Sequence, residues 1–107
     1  MMRQIERDMN RAIRYRKNMS KQNTSVRCYR EEIEVRLHGN LIGTVDTASN
    51  QLRIFDGGWQ TVTTKSRLNA LMDEFAPAMG VFQKNWEWFV SDRLTGKVVP
   101  FISGMTV

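Results

Sequence analysis

Two groups of residues have the types and the spacing for chemistry. The first is the run Arg3, Arg7, Arg11 and Arg14, followed by Lys17. On a helix these arginines share one side, within about a quarter of the circumference, and no acid falls between them. Each like-charge neighbour at i,i+3 or i,i+4 costs an isolated helix a few tenths of a kcal/mol. Such a stripe is either a solvated face screened by salt or a surface that meets an acidic partner, whether nucleic-acid phosphate or an acidic protein patch. Both readings stay open from the residues alone.

The second group follows Gly57-Gly58 and comprises Thr61, Thr63, Thr64, Lys65, Ser66 and Arg67 at a helix start. Free amides, hydroxyls and two cations at a helix N-terminus can hold a phosphate or sulfate. The group is not a nucleotide-binding loop, which needs Gly immediately before Lys-Ser, where this chain has Thr64. Capping by Thr63 or Thr64 competes with anion contact through Thr64, Lys65 and Arg67.

Other sites lack partners. His38 is the sole histidine, and with Cys28 it has none of the short ligand spacings of a zinc site. One candidate base with no hydroxyl placed beside it makes neither a Cys-His nor a Ser-His-Asp set. Glu31, Glu32 and Glu34 read as a solvated strand edge, because no apolar pocket is there to raise a carboxyl pKa. Cys28 has no second cysteine to pair with and reads as a half-buried thiol. The expectation is a protein that is not an enzyme and needs no cofactor. Trp59, Trp86, Trp88 and Phe89 are candidates for base stacking or an interface anchor, with at least one accessible.

These groups need elements to position them. Residues 1–19 make an amphipathic helix with Met2, Ile5, Met9, Ala12, Ile13 and Met19 opposite the arginines. A polar linker, residues 20–24, follows, and the period then changes from helical to alternating. Val26 and Cys28 begin a strand; Ile33, Val35 and Leu37 line one face of a second, with Glu34, Arg36 and His38 on the other. Gly39-Asn40 suits a type II′ hairpin to a third strand, residues 41–46, and residues 51–55 make a fourth. Leu68, Leu71, Met72 and Phe75 fall at i, i+3, i+4 and i+7, the core stripe of a central helix with Lys65, Asn69 and Asp73 outward. That helix stops near Ala76-Pro77. Residues 81–84, 86–91 and 97–101 complete the strands, with a turn at Lys84-Asn85, Trp86, Trp88 and Val90 on one face, and Pro100 on an edge. The fold class is α+β: an antiparallel sheet, meander plus C-terminal strands, with one central helix packed on it and the basic helix at the N-terminal end.

At 107 residues this is a single domain, 1–107, with an α+β core over 25–105. The net charge of +5 is local. Residues 1–22 hold seven basic and two acidic side chains, whereas the rest hold nine of each sign. A mean hydropathy of −0.45 and the lack of a long uncharged apolar run exclude a spanning helix, and the N-terminal pattern is not that of a secretory signal.

The segments Leu37-His-Gly-Asn40, Asp56-Gly-Gly-Trp-Gln-Thr-Val-Thr-Thr-Lys-Ser-Arg-Leu-Asn-Ala-Leu71 and Gly80-Val-Phe-Gln-Lys-Asn-Trp-Glu-Trp-Phe-Val90 resemble a family of small uncharacterised proteins from tailed bacteriophages. The resemblance covers residues 25–105, leaves the arginine helix outside, and implies a protein acting in the host bacterial cytoplasm. The sequence thus leads first to a phage protein that binds and modulates or inhibits host nucleic-acid machinery, such as RNA polymerase or a CRISPR-type nuclease complex. Its contact would be Arg3, Arg7, Arg11, Arg14, Lys17 and Trp59, with Thr64, Lys65 and Arg67. Direct, sequence-tolerant DNA or RNA binding is the alternative, and a minor virion or assembly component is a third reading.

Overall fold

The computed structural model describes residues 2–107. A six-stranded antiparallel sheet runs β1 (Met19–Lys21), β2 (Thr24–Cys28), β3 (Glu32–Leu37), β4 (Asn40–Asp46), β5 (Leu52–Ile54) and β9 (Met105–Thr106). A separate three-stranded sheet holds β6 (Met79–Lys84), β7 (Glu87–Asp92) and β8 (Val98–Pro100). Helices α1 (Gln4–Arg14) and α2 (Val62–Phe75) complete the α+β architecture. The expected strands therefore divide between two sheets.

Alternation builds the main core. Ile33, Val35 and Leu37 on β3 are buried with Val26, Val45, Leu52 and Ile54, and α2 adds Leu68, Leu71 and Met72. Helix and sheet approach closely at one point. A Cβ on Gly43 would stand 2.9 Å from Leu71 Cδ1, so the missing side chain lets α2 seat on β4.

Several boundaries differ from the sequence reading, each for a local reason. α1 ends at Arg14, not near residue 19, because Arg16 turns left-handed (φ 54). Its amide donates to Ile13 O at 3.2 Å and that of Lys17 to Ala12 O at 2.9 Å, the paired bonds of a Schellman stop. The expected polar linker is the β1–β2 hairpin, in which Lys21 faces Thr24 across a two-residue turn. The β3–β4 turn centres on His38 (φ 52) and Gly39 (φ 78), so it is type I′ rather than II′, and His38 leaves the strand. Asn85 (φ 51) and Trp86 (φ 68) do the same between β6 and β7. Trp86 therefore stands 91% exposed at a hairpin tip and does not share the face of buried Trp88 and Val90.

α2 starts at least two residues earlier than expected. Thr61 is its cap, accepting the Thr64 amide at 3.1 Å, in place of Thr63 or Thr64. Asn69 is not a solvent residue. Its Oδ1 accepts the Val81 amide at 2.9 Å and its Nδ2 donates to Val81 O at 3.0 Å, as a neighbouring strand would. This clamp fastens the second sheet to α2.

Candidate functional site: the arginine face of helix α1

α1 buries Ile5, Met9, Ala12 and Ile13 and leaves Arg3, Arg7, Arg11 and Arg14 exposed. The four are not equivalent. Arg3 is the N-cap residue, whose backbone amide donates to Glu6 Oε1 at 3.0 Å. Arg14 Nη2 forms an ion pair with Glu74 of α2. Arg7 and Arg11 have no ion pair among the described residues. Lys17 lies beyond the helix end and is exposed. Asp8, an acid of α1 beside this face, is already engaged, since its Oδ2 accepts from Lys21 Nζ at 2.6 Å. Hydrogen bonds from Lys21 and Gln4 hold the Asp8 carboxyl below its ordinary range.

Beside the stripe, Met2, Arg7, Asn10, Arg11, Arg14, Asp73 and Glu74 line a shallow cleft of about 340 Å³. Asn10 is 3% exposed. Its Nδ2 donates to Ala70 O at 2.9 Å, tying α1 to α2, while Oδ1 has no hydrogen-bond partner among the described residues. A buried acceptor in that state costs stability. The cleft lining thus combines the cations Arg7, Arg11 and Arg14 with the acids Asp73 and Glu74, of which Glu74 is paired with Arg14.

The second sequence-derived group does not assemble into an anion site. Arg67 is 3% exposed and wholly internal. Its Nη1 donates to Glu6 Oε2 at 2.8 Å, Nε to Thr24 Oγ1 at 3.0 Å and Nη2 to Asn23 Oδ1 at 3.2 Å. Ser66 Oγ also donates to Glu6 Oε2, at 2.6 Å. Burial pushes the Glu6 carboxyl up, but the bonds from Ser66, the Arg3 amide and Arg67 together hold it below its ordinary value. Thr64 is 3% exposed, with its hydroxyl 2.9 Å from that of Thr61. Arg67 and Thr64 therefore leave the candidate contact set: one anchors α1 to α2, the other belongs to a cap.

Lys65 is half-buried, and Trp59 is 70% exposed on the rim of a cleft of about 370 Å³ floored by Leu37 and Ile42. His38, Asp56 and Gly57 share that rim, well separated in sequence from the arginine stripe. Among the described residues no three His, Cys, Asp or Glu side chains come together as a metal site. Burial pushes the half-buried Cys28 thiol up, away from the reactive thiolate.

Sequence reading missed Glu6 and Asn10. A signal existed: both lie at i,i+4 spacing beside the apolar stripe of α1, where a solvated residue has no place.

Together these features define a small α+β protein whose distinguishing surface is one cationic helix face, with its remaining buried charges neutralised internally. The chain belongs to the Kyanoviridae Gp96 protein family, whose model matches residues 2–107, and so to a family of tailed-bacteriophage proteins. The match includes α1, which extends the resemblance beyond residues 25–105. No curated protein and no solved structure matches the chain. Among the described residues no helix is long and apolar enough to cross a membrane.

Proposed function

We propose that this phage protein is a non-enzymatic binder that acts in the host bacterial cytoplasm. It docks the arginine face of α1 on an acidic surface of a host complex that handles nucleic acid, of the kind represented by RNA polymerase or a CRISPR-type nuclease complex, and modulates or inhibits it. One observation carries the reading. Among the described residues Arg7 and Arg11 stand exposed and without an ion pair, Arg11 one turn from Arg14, which has one, on a helix that gains nothing from their mutual repulsion.

Guanidinium groups suit this role because they bind carboxylates in a two-pronged geometry and shed water more easily than ammonium groups. Capture of the tagged protein from host cells, with and without nuclease, tests the reading. A host complex retained in stoichiometric amount after nuclease treatment is the expected result. Recovery that collapses with nuclease would replace it with direct DNA or RNA binding.

A further inference from the structure

We infer that the outer face of the three-stranded sheet is a self-docking surface, on which a second copy of this chain packs about a two-fold axis. The inference rests on β6–β8 and is independent of the arginine face.

Register partners in an antiparallel sheet share a face. Val81, Trp88 and Val90 point into the core and are buried. The opposite face therefore carries Phe82, Phe89 and Pro100 in one row across the three strands, and Gly80, Ser91 and Val98 in the next. Phe82 and Phe89 stack with ring centroids 5.6 Å apart and are only half-buried, while Val98 is 51% exposed. Beyond the ends of this face lie Trp86 at 91%, Leu94 at 85% and Ile102 at 66% exposure. Single exposed apolar side chains are ordinary, but an apolar row across three strands is not; this row is bounded by Lys84 and Glu87 on one side and by Ser91 and the Arg93 guanidinium on the other, with Arg93 Nη2 3.3 Å from where a Gly80 Cβ would stand.

Each edge of the same sheet is obstructed at one position. Asn69 occupies the outward amide and carbonyl of Val81 on β6, and Pro100 offers no amide on β8. Strand addition is hindered at those positions, and the face remains for association.

The charge pattern selects a second copy as occupant. Beside the phenylalanine row, Lys84 faces Glu87 across the β6–β7 hairpin, and both are exposed. A two-fold axis running between β6 and β7, parallel to the strands, lays β6 over β7 of the second copy. Phe82 then meets Phe89 of the second copy, and Lys84 meets Glu87 of the second copy, each pair occurring twice. The face is complementary to itself in shape class and in sign, as an isologous contact requires.

Sedimentation equilibrium from low to high micromolar concentration tests this with four proteins: wild type, Lys84→Glu, Glu87→Lys and the double swap. Thermal melts of each verify the fold. The expected result is a wild-type mass that rises to the dimer, single variants that remain monomeric at concentrations where wild type is paired, and restoration in the swap. A wild-type monomer throughout the range overturns the inference. So do four identical association curves. If wild type is monomeric and Lys84→Glu instead abolishes capture of the host complex, the face belongs to that complex and not to a second copy.

Discussion

Arg67 Nη1 lies 2.8 Å from Glu6 Oε2, and neither residue is more than 3% exposed. The pair joins the middle of α2 to the first turn of α1, and Asn23 and Thr24 extend it to the β1–β2 hairpin. A cation that resembles a phosphate ligand in the sequence is thus a fastener of the fold, and the helix it fastens displays the arginines that remain.

Removing one partner strands the other. Arg67→Met should destabilise by about 3–5 kcal/mol, because Glu6 would be left charged and buried. Adding Glu6→Leu should recover part of that loss. Denaturant unfolding of the two variants and the wild type measures both effects.

Acid should loosen the same joint. The Glu6 carboxyl is held below its ordinary value in the folded state, so its contribution is fully present above the unfolded pKa and is lost as pH falls through the folded one. Stability followed from neutral pH down through the acid range should decline, and Glu6→Gln should have a lower plateau with a shallower decline.

Gly43 allows contact between sheet and helix. Gly43→Ala should destabilise by about 1–3 kcal/mol by overpacking, since Leu71 is fully buried and has little room to turn away. In the background Leu71→Val the same change should cost less, and a double-mutant cycle reads the difference.

Asn69→Ala should open the edge of β6. Two bonds to Val81 are lost, at about 0.5–1.5 kcal/mol each. Faster amide exchange at Val81 than at Leu52 would report it.

Most of the fold was legible because period-2 burial in β3 and the i, i+3, i+4, i+7 stripe of α2 are strong, redundant signals. The split into two sheets was not, because it depends on Asn69 reaching 12 residues along the chain to Val81, which no local pattern encodes. The turns at His38-Gly39 and Asn85-Trp86 were misplaced by one residue because His, Asn and Trp occupy left-handed positions that glycine usually marks. The candidate site was half legible. Arg7 and Arg11 have the exposure that helical spacing predicts, whereas the burial of Arg67 depends on Glu6, 61 residues earlier.

On the proposed function, Arg7 and Arg11 serve a partner and not the fold. Arg7→Gln with Arg11→Gln removes like charges at i,i+4 and should raise stability by a few tenths of a kcal/mol at most. The decisive measurement is parallel capture of wild type and this variant from nuclease-treated host lysate at physiological salt, paired with thermal melts. The account predicts an unchanged or slightly higher melting temperature together with at least a tenfold loss of the captured complex, corresponding to about 1.4 kcal/mol or more. Equal recovery by the two proteins would contradict it.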